Sequence, residues 1–566
     1  MTRRGLGIVF ISCLALGVGV SAISVPTRTK AGIVSSQSEI ASSVGADVIR
    51  DGGTAVDAMV ATGFALAVTH PTAGNIGGGG FMVVRTPDGA SVAYDFRETA
   101  PAKSSPTMWM PGGKYDPQLH HNSYLAVGTP GTVAGLHMAW KAHGKLPWRR
   151  LVEPAIALAR DGFTVSDGLA RSLKSVQRSM APYPASVAQF TRNGVPYEAG
   201  ETLKQPDLAA TLERIAANGP AGFYEGKTAD LITDEMAKHG GIITREDLKA
   251  YKAVARTPVT GRYRGYDIIA MPPPTSGGIT MIEALNILEG YDLKSFGPGS
   301  ADTIHVMTEA MKRAYADRAR YLGDPDFNPD MPVARLLSKP HADMLRKTID
   351  LQHAVEPSPA TFSWPHESDE TTHVSVVDGQ HMAASMTYTL EQGYGVKIVV
   401  PGGGFLLNNQ MGDFNAGPGL TTADGLIGTP PNLTAPNKRM LSSMAPTILV
   451  KDGQLAMVTG SPGGRTIINT TLETIVNVVD FGMNAQEAVD APRFHHQWLP
   501  DRISYERFGF SPDTIRELER RGQHLGEGFA QGAAQVILFD PKEGVLEGGT
   551  DRRVPDGAAV AVTTKK

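Results

Sequence analysis

Apolar residues recur at three- and four-residue spacing along several stretches of the chain, a pattern typical of helices with one buried face. The first two such stretches cover 35–51 and 54–70, with Gly52 and Gly53 as a stop between them and Thr54 as a candidate N-cap. The same spacing predicts further helices over 152–161, 205–218, 228–239, 301–322 and 466–479. Pro154 lies in the first turn of its predicted helix, where a missing N–H costs little.

Shorter apolar runs bounded by glycine or polar residues predict strands. One run follows the glycines at 77–80 and covers 81–84, and a strand pair is predicted at 374–377 and 383–390 around a turn at Gly379. Further strands are predicted at 447–450 and 455–459. Helices come first and strands later, with few strict strand–helix alternations. This order favours a layered α+β fold over a doubly wound parallel sheet.

Composition narrows the class of protein. The 566 residues are 41% hydrophobic, enough for a sizeable core, and the length is typical of two or more domains or of one large enzyme core. Charge is nearly balanced, with 53 Lys+Arg against 57 Asp+Glu. Because a nucleic-acid partner needs clustered basic residues to neutralise phosphates, no nucleic-acid partner is predicted.

The first residues predict an export signal over 1–22. Arg3 and Arg4 precede an apolar run over 5–20, and small residues follow at Ser21 and Ala22. The run is short and glycine-rich for a membrane span, so a cleaved signal is favoured over an uncleaved anchor. The protein is therefore expected to be exported, either periplasmic or secreted, by the general or the twin-arginine route.

The single cysteine lies inside this predicted signal. Removal of residues 1–22 would also remove Cys13 and leave the mature chain without cysteine. Disulfides, thiolate metal sites and a cysteine nucleophile are then excluded.

Several common functional motifs fail on spacing. The segment 219–228 has its glycines misplaced for a phosphate loop, and 460–463 is one residue short of a nucleophile elbow. The histidine pairs at 120–121 and 495–496 are adjacent, so their side chains point to different faces and are predicted to be structural. No metal or organic cofactor is predicted.

A specific resemblance emerges from ordered sequence blocks. The block 371–378, closing with Thr387-Tyr388-Thr389, looks like the start of the small subunit of γ-glutamyltransferases. Further blocks that match this family follow the same order along the chain: 73–80, 95–98, 128–135, 271–278, 406–410, 436–439, 441–443, 460–464 and 492–498. The chain thus resembles the γ-glutamyltransferase family of N-terminal-nucleophile hydrolases over nearly its whole mature length.

The resemblance implies a four-layer αββα sandwich and a proenzyme. The Thr371 hydroxyl would attack the carbonyl of Glu370, and the chain would separate into a large subunit, 23–370, and a small subunit, 371–566, which together form one fold. The polar, proline-containing segment before Thr371 suits an exposed cleavage site. Cleavage would give Thr371 a free α-amine, whose pKa of about 7.7–8.0 allows it to accept the hydroxyl proton.

The resemblance also implies roles for individual residues. Thr389 is similar to the threonine that orients the nucleophile, and Gly463 and Gly464 resemble an oxyanion hole of two backbone N–H groups. The resemblance further assigns residues to the two charged groups on the α-carbon of the γ-linked glutamate. Arg97, Ser442 and Ser443 would bind the α-carboxylate, and Asp413 and Gln410 would bind the α-ammonium.

Two positions depart from the common family pattern. Glu391 stands where many members carry asparagine and others glutamate, so two carboxylates, those of Glu391 and Asp413, would surround the ammonium. We expect tighter binding of the amine and a raised pKa of one carboxylate in the empty site. Asp424 replaces the tyrosine expected in the lid loop 415–436, and an acid cannot form the same aromatic wall, which leaves the balance of transfer against hydrolysis open.

The function expected from the resemblance is γ-glutamyl transfer. Donors would be glutathione and other γ-glutamyl compounds, and acceptors would be water, amino acids or short peptides. One alternative is a related acylase that cleaves glutaryl side chains of cephalosporin precursors, whose substrates lack the α-ammonium that Asp413 and Glu391 would bind. A second alternative is a γ-glutamyl-peptide-binding protein that never matures, and the presence of Thr371, Thr389 and the glycine pair argues against it.

Overall fold

Two antiparallel seven-stranded sheets form the centre of the molecule. The computed structural model describes residues 24–356, 371–420 and 428–563. Sheet A contains, in spatial order, β1 (Thr27–Thr29), β20 (Val545–Thr550), β19 (Gln535–Asp540), β15 (Gln454–Gly460), β14 (Thr447–Lys451), β11 (Tyr266–Ala270) and β10 (Val259–Tyr263).

Sheet B has the same number of strands. Its spatial order is β21 (Ala558–Ala561), β2 (Gly32–Ser36), β12 (Thr372–Asp378), β13 (Ala383–Thr389), β3 (Gly79–Arg85), β4 (Ser91–Phe96) and β9 (Val254–Arg256). Small peripheral sheets are formed by β16 (Phe494–His495), β17 (Ile503–Glu506) and β18 (Leu525–Gly528), by β5 (Phe163–Thr164) and β8 (Thr202–Leu203), and by β6 (Thr191–Arg192) and β7 (Val195–Pro196).

The helices form two groups that follow chain order. The first group is α1 (Glu39–Arg50), α2 (Ala55–Thr69), α3 (Pro117–His121), α4 (Thr132–His143), α5 (Trp148–Asp161), α6 (Asp167–Met180), α7 (Pro184–Phe190), α8 (Pro206–Asn218), α9 (Ala221–Tyr224), α10 (Gly226–Lys238) and α11 (Arg245–Ala250). The second group is α12 (Gly277–Leu288), α13 (Leu293–Phe296), α14 (Ala301–Tyr321), α15 (Val333–Leu336), α16 (Lys339–Arg346), α17 (Thr466–Val479), α18 (Ala485–Asp490) and α19 (Pro512–Arg520).

Three large apolar cores separate four layers. The first core packs helices of the first group against sheet B, the second lies between the two sheets, and the third packs helices of the second group against sheet A. Strand β3 shows the division, because Met82 and Val84 join the first core while Phe81 and Val83 join the second. Both faces of the strand are therefore buried, which explains its continuous apolar run. The predicted α+β class and αββα layering are confirmed.

The segments on either side of residue 371 are interleaved in the sheets. Strand β12 begins at Thr372 and lies between β2 and β13, and β13 in turn pairs with β3. Neither segment forms a complete sheet B by itself, so the two build one folded unit. Of the helices within the described ranges, none combines the length and the apolar character that crossing a bilayer requires.

Most predicted elements agree with the structure, but the predicted first residues of two helices are wrong. The helix predicted from residue 35 begins at Glu39, because the residues just before it form β2 between β21 and β12. The helix predicted from residue 152 begins at Trp148. Pro154 therefore lies in the helix interior, where it removes one backbone hydrogen bond, rather than in the first turn.

Candidate active site

A narrow cleft of about 260 Å³ opens where one end of the β12–β13 hairpin meets the start of α17. Polar groups dominate its wall, and most of them are residues singled out from the sequence. The cleft is lined by Thr371, Thr389, Glu391, Gln410, Asp413, Ser442, Ser443, Met444, Gly464 and Ile467.

Thr371 and Thr389 are brought together by the β12–β13 hairpin. The register pairs Thr372 with Tyr388, which places Thr371 next to Thr389 at the same end of the two strands. Both are nearly buried, with 5% and 2% of their surfaces exposed. The Thr389 hydroxyl accepts the backbone N–H of Glu391 at 3.0 Å, so that its position is fixed. A hydroxyl at the end of a central strand is held rigidly by the sheet.

The glycine pair forms the turn that leads from β15 into α17. Gly463 and Gly464 have φ values of 125° and 53°, a region that favours glycine. A Cβ at Gly463 would lie only 2.4 Å from Thr466 Oγ1. The pair lies immediately before Arg465, the N-cap of α17, where the helix dipole favours negative charge. This turn can therefore stabilise an oxyanion beside Thr371.

Arg97 lies behind the cleft wall rather than in it. Its side chain is fully buried, and Nη2 donates to Asp413, which does line the cleft. The guanidinium also donates to the carbonyl oxygens of Met440 and Leu441, each at 3.3 Å. Its other terminal nitrogen, Nη1, has no hydrogen-bond partner among the described residues. Arg97 thus retains one unused donor while it is paired with Asp413.

Glu98, the neighbour of Arg97, is also fully buried. Its Oε2 lies 3.7 Å from Arg97 Nη1. Burial raises the pKa of Glu98 to about 8, although the guanidinium of Arg97 opposes this shift. A largely neutral Glu98 near pH 7 leaves the charge of Arg97 available to other anions.

The two serines are fixed by contacts that the sequence did not predict. The Ser443 hydroxyl accepts from Arg318 Nη2 at 2.8 Å, and Arg318 Nε donates to Ser276 Oγ at 2.6 Å. Ser276 then donates to the carbonyl oxygen of Ser442 at 2.6 Å. Arg318 sits on α14 and Ser276 just before α12, so helices of the outer layer position this wall of the cleft. No sequence motif marked Arg318, since its pairing depends on packing across the fold.

Glu391 and Gln410 complete the acidic wall. Glu391 has a φ of 84°, an uncommon backbone conformation for a residue with a side chain. Its Oε1 lies 3.9 Å from Nδ1 of His121, another residue that sequence analysis did not place near the site. Gln410 Nε2 donates to Asp413 Oδ2 at 2.7 Å, which holds the aspartate toward the cleft.

The predicted residues therefore fall into three groups. Most line the cleft together, whereas Arg97 and Gly463 are buried and do not line it. Glu370, Asp424 and the predicted signal 1–22 lie outside the described residues.

The adjacent histidine pairs make structural contacts in the described chain. His120 stacks on Trp109, and its Nε2 lies 3.0 Å from the Met411 carbonyl oxygen. His496 Nε2 lies 3.0 Å from Asp501 Oδ1.

This arrangement suits acyl transfer on a small zwitterion. It combines a buried threonine hydroxyl, a glycine turn before a helix and two carboxylates in one cleft, with the guanidinium of Arg97 directly behind the wall. The acyl carbon of a substrate would lie between Thr371 and Gly464, with its charged end toward Asp413.

Comparison with known proteins gives one consistent result. A family model described as gamma-glutamyltranspeptidase matches residues 41–561. A glutathione hydrolase proenzyme of Escherichia coli (strain K12) is 50% identical over 536 residues, covering 94% of this chain and 92% of its own.

Two solved structures share the fold. The cephalosporin acylase from Bacillus halodurans superposes with a TM-score of 0.85 at 28% identity, over 98% of this chain and all of its own (100%). The γ-glutamyltranspeptidase of Helicobacter pylori gives a TM-score of 0.54 at 46% identity, over 55% of this chain and 90% of the compared chain.

Proposed function

This chain belongs to the gamma-glutamyltranspeptidase family, and from that membership we propose that it is a self-processing glutathione hydrolase with Thr371 as its nucleophile. The observation that carries the assignment of the nucleophile is the cleft in which Thr371, Thr389 and Gly464 meet the acidic wall of Glu391 and Asp413. Donors are glutathione and other γ-glutamyl compounds.

Maturation would begin with attack of the Thr371 hydroxyl on the carbonyl carbon of Glu370. The peptide C–N bond breaks as the new ester C–O bond forms, and the nitrogen released becomes the α-amine of Thr371. Water then hydrolyses the ester and leaves residues 371–566 beginning with Thr371, with 23–370 as the large subunit. Since strands from both segments alternate in sheet B, the two products stay associated after cleavage.

Catalysis would use the same hydroxyl a second time. The new α-amine takes the Thr371 hydroxyl proton, and the oxygen attacks the γ-carbonyl carbon of the donor. The N–H groups of Gly463 and Gly464 stabilise the oxyanion, and the amine returns the proton to the leaving nitrogen. Thr389 keeps the nucleophile in position. Water, or the amine of an amino acid or short peptide, then attacks the γ-glutamyl ester and releases the product.

Binding of the γ-glutamyl donor would replace the ion pair between Arg97 and Asp413 with two ion pairs to the substrate. In the empty cleft, Arg97 and Asp413 pair with each other. A γ-linked glutamate carries an α-carboxylate and an α-ammonium on one carbon, so its carboxylate can take the donors of Arg97 while its ammonium takes Asp413. The unused Nη1 of Arg97 and the hydroxyls of Ser442 and Ser443 add donors to the carboxylate. Glu391 and Gln410 complete the ammonium side.

The glutaryl acylase alternative is disfavoured by the charge of the cleft. A glutaryl group has no α-ammonium, so its carboxylate would take donors of Arg97 from Asp413 without supplying a cation to Asp413 in return. Loss of this ion pair without a replacement opposes the binding of a glutaryl group. The acidic wall therefore supports γ-glutamyl rather than glutaryl substrates.

The decisive experiment compares Thr371→Ala with Thr372→Val. Unaltered protein should appear by intact mass as two fragments, one beginning at Thr371, and should hydrolyse a γ-glutamyl anilide. Thr371→Ala should remain uncut and inactive. Thr372→Val is the matched control, because Thr372 is buried on β12 and its hydroxyl has no hydrogen-bond partner among the described residues. A cleaved and active Thr371→Ala protein would refute the assignment of the nucleophile.

Export rests on the N-terminal sequence alone. The basic pair Arg3-Arg4 and the apolar run that follows support a cleaved signal over 1–22 and a periplasmic or secreted enzyme. Cell fractionation with N-terminal sequencing of the large subunit tests this proposal, and a cytoplasmic large subunit that still begins at Met1 would contradict it.

A further inference from the structure

Three titratable side chains meet in the outer helical layer, apart from the cleft. Glu283 of α12, Asp317 of α14 and His341 of α16 each direct one ligand-type atom to a common point, and these atoms lie within 4.8 Å of one another. Glu283 is 1% exposed and His341 is 7% exposed. The side chain of Asp317 is 16% exposed, so that solvent reaches the cluster from one side. The proposed reaction uses none of these residues.

The hydrogen bonding within the cluster is incomplete. Nε2 of His341 lies 2.7 Å from Asp317 Oδ2 and 3.5 Å from Glu283 Oε1. A single N–H can serve only the nearer oxygen well, and Oε1 of Glu283 has no hydrogen-bond partner among the described residues. A buried carboxylate oxygen without a donor is costly. Burial accordingly raises the pKa of Glu283 well above its usual range.

A cation at the centre would satisfy all three groups at once. We propose that Glu283, Asp317 and His341 bind one divalent transition-metal cation, with Zn²⁺ as the best match, and that this cation holds α12, α14 and α16 together. Zinc takes imidazole nitrogen and carboxylate oxygen at about 2.0–2.2 Å in tetrahedral geometry, so its ligand atoms lie about 3.3–3.6 Å apart. Only small side-chain movements separate the present arrangement from that spacing.

The ligand chemistry decides between cations. An imidazole ligand favours Zn²⁺ and its neighbours in the first transition row over Ca²⁺ or Mg²⁺, which prefer oxygen ligands. Water can fill the fourth position on the solvent side, beside Asp317. Arg335 is the nearby cation that opposes this binding, since its charge acts on both Glu283 and Asp317. Arg335 is exposed, so it can turn toward solvent when the cation binds.

The location links this site to the cleft through α14. Arg318, the residue after Asp317, donates to Ser276 Oγ and to Ser443 Oγ in the wall of the cleft. A cation that fixes α14 against α12 would therefore stabilise the substrate-binding wall without contacting substrate. Its role is structural, and its main effect should be on stability.

The test is zinc titration of the processed enzyme after removal of metals with EDTA and dialysis. Calorimetry should give one Zn²⁺ per pair of large and small subunits. Saturation with Zn²⁺ should raise the midpoint of thermal unfolding by about 3 °C. Glu283→Gln keeps the side-chain size and should weaken zinc binding roughly 100-fold or more. Asp317→Asn, at the more exposed ligand, should act in the same direction and covers the case in which the first variant folds poorly.

Asp343→Asn is the matched control. Asp343 is on the same helix as His341, its side chain is 55% exposed, and it pairs with Arg346 rather than with the cluster. It should bind zinc as the unaltered enzyme does. Absence of a one-to-one site in the unaltered enzyme, or equal zinc affinity in Glu283→Gln, would overturn the proposal and leave a buried histidine–carboxylate cluster. Because zinc binding is measured directly, a failure here would not bear on γ-glutamyl hydrolysis.

Discussion

The charges at the cleft are paired before substrate arrives. Asp413 receives donors from Arg97 and from Gln410, so its carboxylate is fixed at the cleft surface instead of moving freely. Arg97 is in turn held by backbone carbonyl oxygens. In the proposed binding mode, a donor that carries both charges would replace this pair without leaving either group uncompensated. A substrate with only one charge could not do so, and we therefore expect selectivity for γ-glutamyl over glutaryl groups.

Asp413→Asn tests this selectivity with two substrates that differ only in the α-ammonium group. For γ-glutamyl p-nitroanilide, kcat/KM should fall about 10- to 100-fold, because a charged hydrogen bond contributes about 1.5–3 kcal/mol. For glutaryl p-nitroanilide the value should change little or rise. Steady-state kinetics on the processed variant give the ratio of the two values.

The matched control for this variant is Asp452→Asn, in an exposed hairpin turn, which should leave both values unchanged. Equal losses on both substrates would show that Asp413 acts on the stability of the site rather than on recognition of the ammonium.

The turn before α17 has a backbone conformation that only glycine adopts readily, and it carries the proposed oxyanion donors. The turn is built from glycines because φ values of 125° and 53° disfavour side chains, and a Cβ on Gly463 would lie 2.4 Å from Thr466 Oγ1 and 3.1 Å from Gly532 Cα. The helix that follows is 14 residues long and packs on sheet A, so the core beneath it fixes the position of the turn.

Gly463→Ala should therefore disturb the oxyanion donors. We expect kcat on a γ-glutamyl anilide to fall roughly 100- to 1,000-fold, as when one oxyanion-hole donor is lost. Gly453→Ala serves as the control, because Gly453 also has a positive φ, 78°, but a Cβ there would meet nothing within 4 Å. The control should lose about 1 kcal/mol of stability and keep its kcat. An equally active Gly463→Ala enzyme would exclude this turn from oxyanion stabilisation.

The N-terminus of α2 illustrates an element that local sequence specifies. Thr54 was predicted as an N-cap, and the structure confirms a capping box in which Thr54 Oγ1 accepts from Asp57 N–H at 3.1 Å and Asp57 Oδ2 accepts from Thr54 N–H at 2.9 Å. Thr54→Ala should lower the free energy of unfolding by about 1 kcal/mol, and Thr54→Ser, which keeps the hydroxyl, should restore most of it. Denaturant unfolding gives both values, and an unchanged Thr54→Ala protein would show that the cap is dispensable.

At the scale of the whole molecule, a histidine buried between the two sheets makes the free energy of unfolding depend on pH. His373 has no exposed surface, and burial lowers its pKa to about 3. In the unfolded chain a histidine takes up a proton below about pH 6.5. Between these values the unfolded state binds the extra proton, so the contribution of His373 to stability is complete above pH 6.5 and is lost as pH falls toward 3. One such proton corresponds to about 1.4 kcal/mol per pH unit.

His373→Gln should remove this slope. The free energy of unfolding can be measured with urea at pH 7, 6, 5 and 4. It should fall with decreasing pH in both proteins, and the slope should be smaller in the variant by about 1.4 kcal/mol per pH unit. His353→Gln is the control, because the His353 side chain is 73% exposed. Identical slopes in the His373→Gln and unaltered proteins would mean that other groups govern acid unfolding.

The sequence by itself determined the elements whose pattern is local. The spacing of apolar residues specified α8 and α14, and the unbroken apolar run specified β3, because burial of one face or of both faces leaves a direct trace in residue order. The residues named for the cleft came from ordered motif blocks, and most of them do line one cleft.

Only the tertiary structure decided which of these groups meet. Arg97 and Asp413 are 316 positions apart and pair because sheet B and the loops above it bring them together. The support of Ser443 by Arg318, the strand β2 in place of a helix start, and the cluster of Glu283 with His341 have the same origin. Periodicity records which face of an element is buried, but the neighbour that buries it is set by long-range packing, which no local pattern contains.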